Sequence, residues 1–295
     1  MRKIARLAYV AFETPNIDAQ VDYYTNIIGL TLTERTPEAA YLSATVDHHT
    51  VVLAQGDAPR CRRLGMQLSE DIDFPTMERE LSRMGVQSER RHDAQPAISE
   101  QLSFVDPDDM GIDVFREHKA AGHRPSGKGA NPVKLSHVAC NVLDVQRTVL
   151  FYEQALGMKI SDWIGDFFAF MRAGPDHHTV NFVNGRRAKM HHMAFEVQDS
   201  AAINANCDML AMAGYPIVWG PVRHGPGHNI SIYHRNPDQQ IIELCCELDR
   251  VVDERLGWFE PRPCHEFFPQ MPMVWTDIPK ANALWGGQPP ASFLE

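Results

Sequence analysis

A chain of 295 residues is long enough for two ordinary domains. Hydrophobic residues make up 44% and charged residues 22%, the balance of a folded globular protein, and the net charge of −10 comes with no basic stripe. Phosphate binding needs clustered Lys and Arg, so nucleic acid and anionic membrane are excluded as expected partners.

The opening MRKIARLAYVAF turns polar at Glu13, too soon for a signal-peptide core, and no apolar run approaches a membrane span. The stretch from about 4 to 12 reads as a strand. A helix follows, with Asn16 as its N-cap and Gly29 at its C-terminal stop. Short strands come next, then a helix over about 73–84 ending before Gly85, then more strands. The segment EHKAAGHRPSGKGANP is polar and rich in Gly, Pro and Ala, and reads as a linker over 118–132.

From Val133 the same phrases return. VKLSHVAC matches IARLAYVAF in apolar pattern, FYEQALGM matches YYTNIIGL, DHHTV occurs at Asp47 and again at Asp176, and NPDQQIIELC resembles DPDDMGIDVF. The offsets are 128 for Tyr9 to His137, 128 for Tyr24 to Tyr152, 129 for His49 to His178 and 130 for Asp113 to Glu243. Four matches in order with so little drift mark a tandem duplication. The second copy therefore opens with a strand at about 133–141, continues with a helix between Asp144 and Gly157, and carries its second helix at about 200–213 before Gly214. The expected organisation is a module over 1–117, the linker, a second module over 133–250, and a tail over 251–295 wrapped on that module. Trp258, Trp275 and Trp285 in the tail argue for an ordered, packed segment.

Histidine is concentrated in the second copy: His137, His177, His178, His191, His192, His224, His228, His234 and His265 all lie beyond residue 130. Most fall on expected strands. His137 shares a strand face with Leu135 and Ala139, while His191 and His192 should point to opposite faces, so that one of them can be a ligand. Glu243 follows two Ile in an apolar strand, where a carboxylate is costly unless a cation meets it. Taken singly, a strand His is more often a hydrogen-bonded core residue than a ligand, and Cys245 and Cys246 read as small core residues, because the CxxC spacing of a zinc site is absent. Six Cys without paired spacings read as reduced thiols, which with the missing signal peptide points to the cytoplasm. The duplication weighs against packing roles for the set. Counterparts of His137 and Glu243 are Tyr9 and Asp113, and that of His192 falls at about Gly65, so the ligand set is intact in one copy alone. Two His and one carboxylate leave adjacent positions open on a divalent metal.

On these residues the chain resembles a two-domain type I extradiol ring-cleavage dioxygenase of the vicinal oxygen chelate superfamily. The motifs are His137 in LSHVA, His192 in HHMAF, and Glu243 ten residues after Tyr233 in IYHRNPDQQIIE; His178 lies fourteen residues before His192, and His224 nine before Tyr233. The resemblance implies an α+β fold of tandem modules, each made of paired βαβββ units forming a half-open barrel. It implies one metal site, His137, His192 and Glu243 holding Fe(II) or Mn(II), with His178, His224 and Tyr233 as catalytic residues. The implied reaction inserts both atoms of O2 into a catechol-type aromatic diol, in a homo-oligomer. Ala139 departs from relatives that carry Asn there, and His228 has no counterpart. Arg223 and Arg235 flank the expected closing hairpin and could meet a substrate carboxylate. The rival readings are a glyoxalase-type metal-dependent isomerase and a non-catalytic binding protein on the same scaffold.

Overall fold

The computed structural model describes residues 3–122, 126–253, 258–259 and 273–294. Its first half runs β1 (Ile4–Thr14), α1 (Ile17–Tyr23), β2 (Thr31–Arg35), β3 (Ala39–Ser43), β4 (Val51–Gln55), β5 (Arg60–Leu68), α2 (Phe74–Arg83), β6 (Glu89–Gln95), β7 (Ile98–Val105) and β8 (Gly111–Phe115). Its second half repeats the order as β9 (Lys134–Val142), α3 (Val145–Leu156), β10 (Lys159–Ile164), β11 (Phe168–Arg172), β12 (Val180–Asn184), β13 (Lys189–Glu196), α4 (Ser200–Met212), β14 (Trp219–Arg223), β15 (Ile230–Arg235) and β16 (Ile241–Cys246).

The helix boundaries follow the capping chemistry expected of them. Asn16 and Asp144 accept from the amides of Ala19 and Arg147, and Gly29 and Gly157 end their helices at φ +92° and +64°. One departure is local. The first helix widens into a π-turn over Tyr24–Ile28, where the Thr25 hydroxyl bonds back to the Val21 carbonyl at 2.7 Å.

The sheets are superposable in order. The first reads β2-β3-β4-β1-β5-β8-β7-β6, and the second β14-β15-β16-β13-β9-β12-β11-β10 plus one added edge strand. In each, two βαβββ halves meet at an antiparallel joint, β1 against β5 and β9 against β13, and the sheet curls into a half-open barrel. A β-bulge interrupts both joints at matching places. Met190 pairs Cys140 and His192 pairs Ala139, which leaves His191 as the extra residue; Arg62 is the extra residue in the first sheet, between Cys61 and Arg63.

One continuous apolar core runs from Ile4 and Leu7 through Tyr152 to Leu244 and Cys246, so the modules share their interior. Polar ties cross between them: Tyr152 donates to Asp106 at 3.1 Å, and the Tyr23 hydroxyl meets His234 Nε2 at 2.6 Å. Residues 126–132 pack on the end of the first helix, through Ser126 Oγ to Gly29 O and the Ala130 amide to Ile27 O. Beyond residue 250 come β17 (Val251–Asp253) and β18 (Trp258–Phe259), a two-stranded ribbon, then β19 (Met273–Trp275), α5 (Ile278–Asn282) and a 3₁₀ turn over Ala291–Phe293. β19 is the added edge strand, parallel to β10. The side chain of Trp258 and the whole of His265 lie outside the described residues. No helix among the described residues is long and apolar enough to cross a membrane.

Candidate metal centre

Three neighbouring central strands of the second sheet, β9, β13 and β16, converge on one point. Ala194 on β13 pairs with His137 on one side and Glu243 on the other, and His192 sits two residues along the same strand. His137 Nε2 and His192 Nε2 each lie 3.1 Å from Glu243 Oε2, and the candidate ligand atoms of the three residues fall within 4.8 Å of one another. Glu243 has no exposed surface, and His137 and His192 are 2% and 7% exposed.

Glu243 is held as an anion from both ends. Oε1 accepts from Ser231 Oγ at 2.6 Å and Asn229 Nδ2 at 3.1 Å, while Oε2 faces the two imidazoles. Burial alone would raise its pKa, but His137 and His192 together draw the carboxyl well below its usual range. Burial lowers the His192 pKa, against the pull of Glu243. Two imidazole nitrogens and one carboxylate oxygen aimed at one buried point fit a divalent ion of the two-His, one-carboxylate kind.

His178, His224 and Tyr233 line the same cavity, of about 850 Å³, as His137, His192 and Glu243. His178 stands edge-on to His137 with ring centroids 4.4 Å apart, and its Nδ1 meets His177 Nδ1 at 3.0 Å. Burial, reinforced by His137 and His177, lowers the His178 pKa well below the ordinary range. Tyr233 stacks on Trp219 at 5.1 Å and meets His224 Nε2 at 2.8 Å through its hydroxyl. Burial and the Glu243 charge push that phenol up, so it stays protonated. His224 Nδ1 lies 2.8 Å from the Asn282 carbonyl of α5; a carbonyl can only accept, so Nδ1 carries the proton and neutral Nε2 accepts from Tyr233. Burial holds His224 below its ordinary pKa. Phe168, Phe170, Trp219 and Phe293 make the cavity walls aromatic, and Ala139 lies in its lining.

Several expectations are corrected by the structure. His191 and His192 are not on opposite faces, because the bulge at His191 breaks the period-two alternation; their Nδ1 atoms lie 2.7 Å apart. Arg223 and Arg235 do not reach the cavity. Arg223 bonds the His228 carbonyl and Glu247 at 2.7 Å each, and Arg235 bonds the carbonyls of Gln239 and Ser292. His228, at φ +52°, is tied to Asp249 at 2.7 Å rather than to the cavity. The register counterpart of His192 is Arg63, not Gly65: Ala11 pairs Arg63 as Ala139 pairs His192, and Gly65 matches Ala194. Sequence reasoning missed Ser231 and Asn229, although Ser231 alternates with Tyr233 along β15 and Asn229, just before that strand, continues the same spacing. The Asn282 and Phe293 carbonyls had no side-chain signal at all.

The fold and the converging histidines define a class. Residues 134–244 match the Glyoxalase/Bleomycin resistance protein/Dioxygenase superfamily, and the chain carries a domain of that superfamily there. Metapyrocatechase 2 of Cupriavidus necator is 27% identical over 264 residues, covering 82% of this chain and 81% of that protein. Among solved structures, homoprotocatechuate 2,3-dioxygenase from Brevibacterium fuscum with 3,4-dihydroxyphenylacetate superposes with a TM-score of 0.86 at 22% identity, over 99% of this chain and 92% of that one. The Mn(II)-bound glyoxalase from Novosphingobium aromaticivorans superposes with a TM-score of 0.86 at 24% identity, over 98% and 94%. The described residues thus have the vicinal oxygen chelate fold, built on two large sheets of matching strand order.

Proposed function

We propose that this protein is an extradiol dioxygenase that opens a catechol-type ring, inserting both atoms of O2 beside the diol at one metal centre. The observation that carries the reading is the single cavity onto which His137, His192, Glu243, His178, His224 and Tyr233 all open. His137, His192 and Glu243 would be the ligands of Fe(II), with Mn(II) as the alternative. That ion, when bound, would supply Lewis acidity toward the diol and redox chemistry toward O2.

The chain's own residues supply the proton traffic. Because Tyr233 donates to His224, its oxygen lone pairs are left to accept from a substrate hydroxyl. A proton leaving the diol can then pass to the Tyr233 oxygen while the phenolic proton moves to His224 Nε2; burial disfavours the resulting imidazolium, and the Glu243 charge offsets part of that. His178, whose pKa burial lowers well below the ordinary range, lines the same cavity and would give and take a proton there. The aromatic walls exclude water and hold the ring against these groups. Ring opening consumes one diol and one O2 per turnover and needs no external reductant.

The test is oxygen uptake by anaerobically purified, Fe(II)-loaded protein with catechol, substituted catechols, 2,3-dihydroxybiphenyl, homoprotocatechuate and hydroquinone. Uptake with a yellow ring-opened product is expected. No uptake by protein holding one metal per chain would sink the reading in favour of an isomerase or a binding protein. We also infer a cytoplasmic homo-oligomer, which size-exclusion chromatography with light scattering checks.

A further inference from the structure

His191 is bonded at both ring nitrogens. Its Nε2 lies 2.7 Å from the backbone carbonyl of Phe293, in the C-terminal segment, and its Nδ1 lies 2.7 Å from His192 Nδ1. The Phe293 ring packs against both imidazoles, with centroids 4.9 Å from His191 and 6.4 Å from His192. Each proton position then follows from the partner. A carbonyl only accepts, so Nε2 of His191 must carry the hydrogen; in the neutral ring Nδ1 is then bare and must accept from His192 Nδ1. His192 is thereby fixed with its hydrogen on Nδ1 and a lone pair on Nε2, the atom that faces Glu243 at 3.1 Å. The opposite tautomer would put a hydrogen where a ligand lone pair is needed.

We propose that His191 is a positioning residue for the metal centre, pinned by the Phe293 carbonyl so that docking of the C-terminal segment and retention of the metal by His192 reinforce each other. The inference rests on the metal-centre reading above. The bulge at His191 is what makes the contact geometrically available, since an unbulged strand would turn this side chain away from its neighbour. A partner that orients a ligating imidazole typically contributes 10–100-fold in metal affinity. Coupling of two binding events is reciprocal, so bound metal must in turn hold the segment down.

The experiment uses the full chain and Mn(II) alone, followed by the EPR signal of the free ion, and needs no substrate. His191→Phe removes both bonds and is expected to weaken Mn(II) binding about 10–100-fold. His191→Gln can donate to the carbonyl through its amide and accept from His192 through its oxygen, and is expected to restore most of the affinity. A chain ending at Pro290 should lose affinity as His191→Phe does. In the intact protein, Mn(II) should slow hydrogen exchange across Ala291–Phe293. Equal affinity in wild type, His191→Phe and the shortened chain, or exchange in that segment indifferent to Mn(II), would overturn the proposal while leaving the metal centre standing. A wild-type chain that holds no Mn(II) and no Fe(II) would instead overturn the metal-centre reading itself.

Discussion

The two modules are copies in backbone and opposites in chemistry. Where the second has His137, His192 and Glu243, the first has Tyr9, Arg63 and Asp113 on the same register positions, with Ser103 across from Asp113 as Tyr233 is across from Glu243. Asp113 is 1% exposed and fully bonded: Tyr9 Oη at 2.8 Å, Ser103 Oγ at 2.6 Å, and Arg63 through Nε at 2.7 Å and Nη2 at 2.6 Å. A buried carboxylate requires a cation in either copy. In the first module a guanidinium supplies that charge and is part of the chain; in the second, two imidazoles share one carboxylate oxygen, and in the function proposed above the charge would come from a metal ion. The first module has also filled the space. Gly65 lets the Tyr9 ring lie where Ala194 stands in the second module, since a Cβ on Gly65 would fall 2.0 Å from Tyr9 Cε1.

The contrast can be broken on the metal side first. Glu243→Ala should strip the metal from the chain and remove ring cleavage, read by metal analysis beside oxygen uptake, whereas Asp113→Asn should leave one metal per chain. His178→Ala should keep the metal and slow turnover by about 10²–10⁴-fold, the usual contribution of a positioned acid or base; full activity in that variant would remove the proton-transfer role. On the other side, Arg63→Met strands Asp113 without its cation and should cost on the order of 3 kcal/mol in urea unfolding, with the metal content unchanged. Gly65→Ala should cost about 1–3 kcal/mol by overpacking against Tyr9, and Ala194→Gly should not relieve any such clash. A further effect, spread over several pH units, concerns both modules. Burial pushes His234 down to about 4 and, chiefly by burial, His118 also to about 4. Unfolded histidine binds a proton near pH 6.5, so the unfolded chain holds more protons below that value. Stability should therefore be flat above pH 6.5 and fall as pH drops from about 6.5 toward 4, by up to about 1.4 kcal/mol per unit per buried histidine. A urea midpoint that does not move between pH 7.5 and 5 would show these rings to be charged or solvated in the folded protein.

Much of this was legible in the chain because the duplication acts as an internal alignment. Repeated phrases at offsets of 128 to 130 residues located the strands and caps, and histidines set against Tyr9 and Asp113 singled out one module. A steady offset of that kind also matches His192 to Arg63, 129 residues apart, but direct comparison of the motifs slipped to Gly65. The error matters, because Arg63 is the residue that explains how Asp113 is tolerated in the first module.

What the sequence determined by itself was periodicity, local capping and the order of elements, since these depend on neighbours a few residues apart. The tertiary structure decided what depends on register and on main-chain atoms. The bulge turns His191 onto His192; the carbonyls of Asn282 and Phe293 set the proton positions of His224 and His191 from 58 and 102 residues away. No side-chain identity encodes a carbonyl's direction, because every residue carries the same group and only the folded path of the backbone aims it.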